Sequence, residues 1–469
     1  MKLPRVKIYN TLSGSKEALQ PLNGKKINLF VCGPTVYDFL HIGNARISVI
    51  FDCFVKYLKQ VGFEVFYLQN ITDIDDKIIV RAKEKGVSPQ DLATVFSDEY
   101  FKEMASLGVT AVNKYAKATD YIKEIISQVQ RLSDTGYAYQ LLDGIYFDIS
   151  KFRGYGKLSG RTALQAEDSV SRIDYAKDKR NRGDFCLWKF ETPSEPSWDS
   201  PFGKGRPGWH IEDTAITEHF FGPQYDIHGG GIDLIFPHHE AEITQMESVS
   251  GKSPLVKYWM HVGFLTMNGQ KMSKSAGGMI TINDFLKRYS PQQLRFLLAK
   301  SLWHSPLDYS ESTMIEVTAT LERFSESLRK IKTGKKPGRS AGKLKPLFKK
   351  AGEDFYTTLA DDFNTPKAFA VLFEFITQIN TMLEENAVSK TDAGKIYQFF
   401  VQINRIFNII DFKKLGKTTI PNEVKGLVKV REQHRKLKEW VKSDEVREEI
   451  EKYGYTVQDT RDGQVLKKI

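Results

Sequence analysis

Residues 27–46, INLFVCGPTVYDFLHIGNAR, decide how the rest of the chain is read. The apolar run 27–31 ends at a Gly33-Pro34 break, which predicts a buried strand, and helical periodicity resumes beyond Gly43. A strand, a tight turn and a helix start offer unpaired N–H groups and the positive end of a helix dipole, which suit phosphate. His41 and Asn44, three residues apart, are expected to share one face of the first turn, where both can donate to a nucleotide. Cys32 stands at the strand end beside the same cleft and is a candidate metal ligand.

Outward from this stretch, residues 26–80 alternate strand, helix and strand (INLFVC, ARISVIFDCFVKYLKQVGF, EVFYLQNITDIDDKII), the βαβ nucleus of an open parallel sheet. Ligands bind beyond the carboxyl ends of such strands, so loops 32–44 and 70–76 should line one site. In the second loop Thr72 is expected to face a ligand, while Asp73, Asp75 and Asp76 read as an acidic helix start.

Residues 115–205 read as an insertion: a helix over 121–134, short strands around 144–147, and a Lys/Arg-dense loop, 174–184, that is either solvated or close to a nucleic-acid backbone. A strand is expected again at 225–228, followed by Gly229-Gly230-Gly231, which would let a ligand approach the backbone, with Asp233 placed to accept from ribose hydroxyls. Pro237 is expected at a first helical position. His238 and Glu242, four apart, project from one helix face, as a metal-pinning pair or as a plain surface hydrogen bond. His239-Glu240 begins a zinc-protease pattern, but position 243 is Ile243 where a second His is required, which excludes it. Lys271 and Lys274 fall in a small-residue loop between a strand-like 262–265 and a helix near Thr281, from which they can swing onto a polyphosphate.

At 469 residues the chain exceeds what one hydrophobic core serves, so several domains are expected. Apolar and charged fractions of 41% and 27% are those of a soluble globular protein. No run is apolar enough to span a bilayer and the first residues lack a signal-peptide core, so a cytoplasmic location without a membrane partner is expected. Cys32, Cys53 and Cys186 are too few and too odd in number for a disulfide framework. A net charge of +10 makes a polyanionic partner plausible.

HIGN at 41–44, KMSKS at 271–275, CGPTVYD at 32–38, NITDIDDKI at 70–78, RPGWHIE at 206–212, DIHGGGIDL at 226–234 and FPHHEAE at 236–242 together resemble the class I aminoacyl-tRNA synthetases, specifically the cysteinyl family. The resemblance implies an α/β fold: a Rossmann-like parallel-sheet catalytic domain (1–114 and 206–262) with a connective insertion (115–205). A KMSKS-containing stem-contact region (263–328), an α-helical bundle (329–418) and a small C-terminal anticodon-binding domain (419–469) would follow. It implies ATP-dependent ligation of L-cysteine to its tRNA through a cysteinyl-adenylate, with Mg²⁺ accompanying ATP and a monomeric enzyme.

His41, Asn44, Lys271 and Lys274 would hold the phosphates and the developing charge, Gly230 and Asp233 the nucleotide, and Thr72 and Trp209 the substrate cysteine, beside Cys32 and His238. One Zn²⁺ would take the substrate sulfur as thiolate and so separate cysteine from serine. The family's usual ligands are two Cys, a His and a Glu; Cys32, His238 and Glu242 match, but the other Cys falls on Asp213. Asp213 either ligates zinc or only caps or orients a neighbour, and ligation is favoured because a carboxylate is an accepted zinc ligand of the same charge. Asn44 stands where the signature often has His, and an amide donates to phosphate but carries no charge.

The run 329–350, RKIKTGKKPGRSAGKLKPLFKK, has no acidic residue and reads as a mobile connection near RNA or as an ordinary basic linker. Segments 355–386 and 393–410 have helical periodicity and suggest an antiparallel bundle, with DFNTP at 362–366 resembling the family's helical domain. From about 421 a basic helix pair and a short tail are expected. Arg431, Arg435, Trp440 and Asp459 match positions where the family reads the anticodon, Trp440 being alternatively a core residue, and Leu466 stands where the family often has Trp. Two rivals are a small-molecule cysteine ligase and a non-catalytic RNA-binding paralogue. The basic second half argues against the first and the intact KMSKS against the second.

Overall fold

The computed structural model describes residues 5–161, 178–271, 279–333, 342–413, 415, 422–460 and 463–468. A hairpin of β1 (Lys7–Asn10) and β2 (Ser15–Ala18) precedes the strand read from the sequence, β3 (Lys26–Val31), and its helix α1 (Ile42–Gln60). Next come β4 (Glu64–Ile71), α2 (Asp76–Lys85), α3 (Pro89–Ser106) and β5 (Lys114–Lys117). Strands β3, β4 and β5 are parallel neighbours, as helical crossovers require. The acidic run is a helix start as expected: Asp75 caps α2 by accepting from the Lys77 N–H, and Asp76 sits in the first turn.

The insertion holds α4 (Ile122–Asp134) and an antiparallel sheet of β6 (Ala138–Gln140), β7 (Gly144–Phe147), β8 (Phe185–Phe190) and β9 (Gly205–Pro207), in that order. Val129, Phe147 and Trp188 form its core together with Ile211 and Ala241 of the helices that follow. Part of the charged loop, 174–177, lies outside the described residues.

The chain returns through α5 (Ile211–Phe221), β10 (Tyr225–Gly231), α6 (Glu240–Ser250) and β11 (Val256–Val262). The five-stranded sheet runs β11-β10-β3-β4-β5 and is parallel throughout. Strands are added outward from β3 on one side and from β10 on the other, so the order reverses between them and opens a crevice at their carboxyl ends.

The glycine triplet corrects one expectation. It is the end of β10 rather than a turn after it, pairing with Met260, His261 and Val262. A Cβ on Gly229 would stand 2.2 Å from Phe51 Cζ of α1, and one on Gly230 2.7 Å from His239 Cε1. Aromatic rings of the protein itself, not a ligand, take the space these two glycines free.

Residues 262–265 are not one strand: β11 ends at Val262, and β12 (Leu265–Met267) belongs to a small sheet with β13 (Gln270–Lys271) and β14 (Leu307–Tyr309). Between β13 and β14 lie α7 (Ile282–Arg288), capped by Thr281 as expected, and α8 (Pro291–Ala299). Buried Arg46 of α1 donates to the carbonyls of Gly263 and Phe264 at the break and of Leu302, which fixes this region to the sheet's helix.

Helices α9 (Glu311–Thr333), α10 (Leu344–Ala360), α11 (Thr365–Glu384) and α12 (Lys390–Phe407) pack as a bundle around Phe324, Phe355, Phe375 and Phe400. The basic run is therefore helical at both ends, 329–333 closing α9 and 344–350 opening α10, because Leu328, Ile331 and Leu344 bury an apolar stripe. Its middle, 334–341, lies outside the described residues. The helical periodicity of 355–386 is interrupted at DFNTP, where Asp362 and Phe363 take φ of 66° and 47°. Asp362 accepts from the Tyr9 N–H at 2.8 Å and from Trp303 Nε1–H, joining the bundle to β1 and to the segment after α8.

Met1–Ile410 form one unit and Asp411–Ile469 another. In the second, α13 (Asn422–Lys436), α14 (Trp440–Lys452) and a hairpin of β15 (Tyr455–Thr460) and β16 (Gly463–Lys468) surround Val424, Ile450 and Val457. The short tail is thus a hairpin, and Leu466 packs on that core. Among the described residues no helix is long and apolar enough to cross a membrane.

Candidate functional site

A cleft of about 420 Å³ opens at the reversal between β10 and β3. Its walls include Cys32, His41, Asn44, Thr72, Trp209, Asp213, Asp233 and His238. Residues scattered over two hundred positions therefore meet where the strand order predicted. Gly230 is buried in β10 beneath the His239 ring. Lys271 falls in β13 with its side chain outside the description, and Lys274 lies outside the described residues.

His41 and Asn44 do more than share a face. His41 caps α1: its Nδ1 accepts from the Asn44 N–H at 3.3 Å while the Asn44 Oδ1 accepts from the His41 N–H at 3.4 Å. An accepting Nδ1 carries no proton, so the neutral ring bears its proton on Nε2, and the Asn44 amide keeps its NH₂ as donor. Glu103 of α3, buried, accepts from the Leu40 N–H beside His41 and from Asn283 Nδ2 of α7 at 3.2 Å, tying the approach to α1 to α7.

At the floor of the cleft Cys32 Sγ lies 3.2 Å from Asp213 Oδ2 and 4.0 Å from Glu242 Oε1. His238 Nε2 lies 3.0 Å from Asp213 Oδ2 and 3.3 Å from Glu242 Oε1. These four side chains can surround one centre, their ligand atoms all lying within 4.8 Å of one another. A tetrahedron with bonds of about 2.0–2.3 Å has edges of roughly 3.3–3.7 Å, so the spacing fits a zinc-sized ion. Burial, then Asp213 and Glu242, pushes the Cys32 thiol up; burial, then Asp213 and Glu212, pushes Glu242 up. Glu242 Oε2 is buried without a hydrogen-bond partner. Acids crowded together with an orphaned oxygen are what a cation would relieve.

Asp213 is held by Asn70, whose Nδ2 donates to Oδ1 at 2.6 Å while its own Oδ1 accepts from the Gly33 N–H at 2.6 Å. Thr72 gives its hydroxyl to Glu212. Trp209 stacks on His238 with centroids 4.4 Å apart, and Lys77 Nζ approaches its ring at 5.8 Å. Sequence reasoning assigned no role to Asn70, Lys77, Glu103, His228 or His239. The last two bring Nε2 to 3.4 and 3.1 Å from Cys32 Sγ. His228 sits midway along β10 opposite Phe30 of β3, a pairing with no signal in the sequence.

In the second unit Arg431 is buried and makes a bidentate pair with Asp459 at 2.9 and 3.1 Å. Arg435 also reaches Asp459 at 3.0 Å and lies over the Trp440 ring at 5.6 Å. Trp440 is 55% exposed, which excludes the core alternative.

Residues 18–319 match the family described as tRNA synthetases class I (C) catalytic domain, and 354–411 match the DALR domain. A cysteine–tRNA ligase of Thermococcus gammatolerans is 41% identical over 99% of both chains. One of Thermoplasma acidophilum is 41% identical over 97% of this chain and 99% of its own. Among solved structures, Mycobacterium tuberculosis methionyl-tRNA synthetase in complex with methionyl-adenylate aligns at a TM-score of 0.61 and 16% identity, over 82% of this chain and 90% of its own, a likeness of fold.

Proposed function

The chain belongs to the cysteine–tRNA ligase family of class I tRNA synthetases, which charges tRNA with cysteine, and from that premise we propose how its cleft does so. The cysteine carboxylate attacks the ATP α-phosphate, pyrophosphate leaves, and the resulting adenylate esterifies the terminal adenosine of the tRNA. The attacking group is already an anion, so positioning and charge stabilisation carry most of the acceleration. His41 donates from Nε2 and Asn44 from its amide to the phosphates, and Lys271 and Lys274 neutralise the departing pyrophosphate with Mg²⁺. Asp233 accepts from the ribose, and Trp209 and Thr72 border the substrate cysteine.

Cys32, Asp213, His238 and Glu242 fit a zinc ion by donor type and spacing. A zinc ion there supplies a borderline-soft acceptor on which a substrate thiolate binds far better than the hydroxyl of serine. Asp213 replaces a thiolate with a harder anion of equal charge and is braced for the task by Asn70. Arg435 and Trp440 offer stacking and hydrogen bonds to unpaired anticodon bases, while the Arg431–Asp459 pair ties the hairpin to α13, the helix that carries Arg435.

The observation that carries this reading is the convergence of those four side chains, Cys32, Asp213 and His238 lining the cleft and Glu242 behind them, at the strand-order reversal. Metal analysis paired with cysteine-dependent pyrophosphate exchange, on wild type and Asp213→Cys, tests it. Expected are one zinc per chain and strong preference for cysteine in both. Metal-free wild type exchanging equally with serine would sink the proposal.

A further inference from the structure

Six buried donors, not four, crowd the cleft floor. Besides the quartet on the cleft, Cys32, His228, His239 and Glu242 bring one ligand atom each within 4.8 Å of one another. His239 Nε2 lies 3.1 Å from Cys32 Sγ and 3.9 Å from Glu242 Oε1, and His228 Nε2 lies 3.4 Å from Cys32 Sγ, close to the edges of a tetrahedron around a divalent ion.

Both rings are held from behind as metal-bound imidazoles are. His228 Nδ1 lies 2.7 Å from the Tyr225 hydroxyl. His239 Nδ1 lies 2.8 Å from His261 Nε2, whose Nδ1 is 2.8 Å from Thr11 Oγ1. With these outward nitrogens protonated, both Nε2 lone pairs face Cys32. Glu242 Oε2, without a hydrogen-bond partner, lies 3.5 Å from His228 Nδ1. The cleft reaches Cys32, Asp213 and His238 but not His228, His239 or Glu242.

We propose that the cluster offers a divalent metal ion two mutually exclusive positions that share Cys32 and Glu242. The outer one is completed by Asp213 and His238 on the cleft, and the inner one by His228 and His239, sealed from substrate. The inner set is richer in imidazole and the outer in carboxylate, so cobalt, nickel and copper favour the inner position more than harder ions do. An ion held inside is shielded from substrate sulfur and withholds two ligands from the outer position. The inner position stands apart from the outer zinc proposed above, and the two can fail separately.

The full-length Asp213→Ala/His238→Ala variant, titrated with Co²⁺ alone, tests it. Expected are one cobalt per chain, with thiolate-to-cobalt absorption unchanged by L-cysteine, and affinity at least 10-fold weaker when His228→Gln and His239→Gln are added. Absence of cobalt binding by the first variant once its fold is verified by circular dichroism, or no effect of the His changes, overturns the inner position. Pyrophosphate exchange by zinc-loaded wild type that is equal with cysteine and with serine sinks the outer reading alone.

Discussion

Asn70→Ala isolates the support of the carboxylate ligand from the ligand itself. Asn70 is 2% exposed and makes two 2.6 Å bonds, donating to Asp213 Oδ1 and accepting from the Gly33 N–H. Removing it frees a carboxylate to turn and leaves a buried N–H without a partner. A hydrogen bond to a charged group contributes about 1.5–3 kcal/mol and an orphaned buried donor costs about 1–3 kcal/mol, so the metal-free chain should lose roughly 2.5–6 kcal/mol. Loss of such an outer-shell partner weakens metal affinity by about 10–100-fold, or about 1.4–2.7 kcal/mol. Urea unfolding of the metal-free chain reads the first quantity and competition for zinc with a chelator reads the second. If stability falls but zinc affinity stays within about twofold of wild type, Asp213 does not hold the metal.

Gly229→Ala places a Cβ 2.2 Å from Phe51 Cζ and should destabilise the catalytic unit by about 1–3 kcal/mol in urea unfolding, with Phe51→Leu recovering part of the loss. Burial, with Glu99 adding, pushes the Glu103 carboxyl up to about 7. A raised folded-state value means stability fully present below the unfolded value of 4.5 and lost as pH rises to about 7, so wild-type stability should fall between about pH 4.5 and pH 7 more steeply than that of Glu103→Gln; equal slopes refute this. Trp440→Ala should lower kcat/KM for tRNA charging while leaving pyrophosphate exchange and the unfolding midpoint unchanged. Arg431→Met, by contrast, should unfold the C-terminal unit more readily, because it removes a buried bidentate partner of Asp459.

The central sheet was legible because its strands are buried on both faces and read as apolar runs, and the start of α2 was legible as an acidic run and that of α7 as a helix near Thr281. His238 and Glu242 were visible by their four-residue spacing, whereas Asp213 entered through family resemblance, since nothing in the spacing of α5 marks it. His228, His239 and Asn70 depend on which strand lies beside β3, a register that periodicity does not report. The glycine triplet was misread for the same reason. Its small size answers Phe51 and His239, partners set by tertiary packing.

The reciprocal cap at the start of α1 gives His41 and Asn44 two employments. The fold selects the ring's tautomer before any nucleotide arrives, so binding ATP requires no prior proton shuffle. The same economy couples two phenotypes. A substitution at either position loosens the first helical turn as well as the phosphate contact, and a kinetic defect there measures transition-state stabilisation only after the accompanying loss of helix stability has been measured and subtracted.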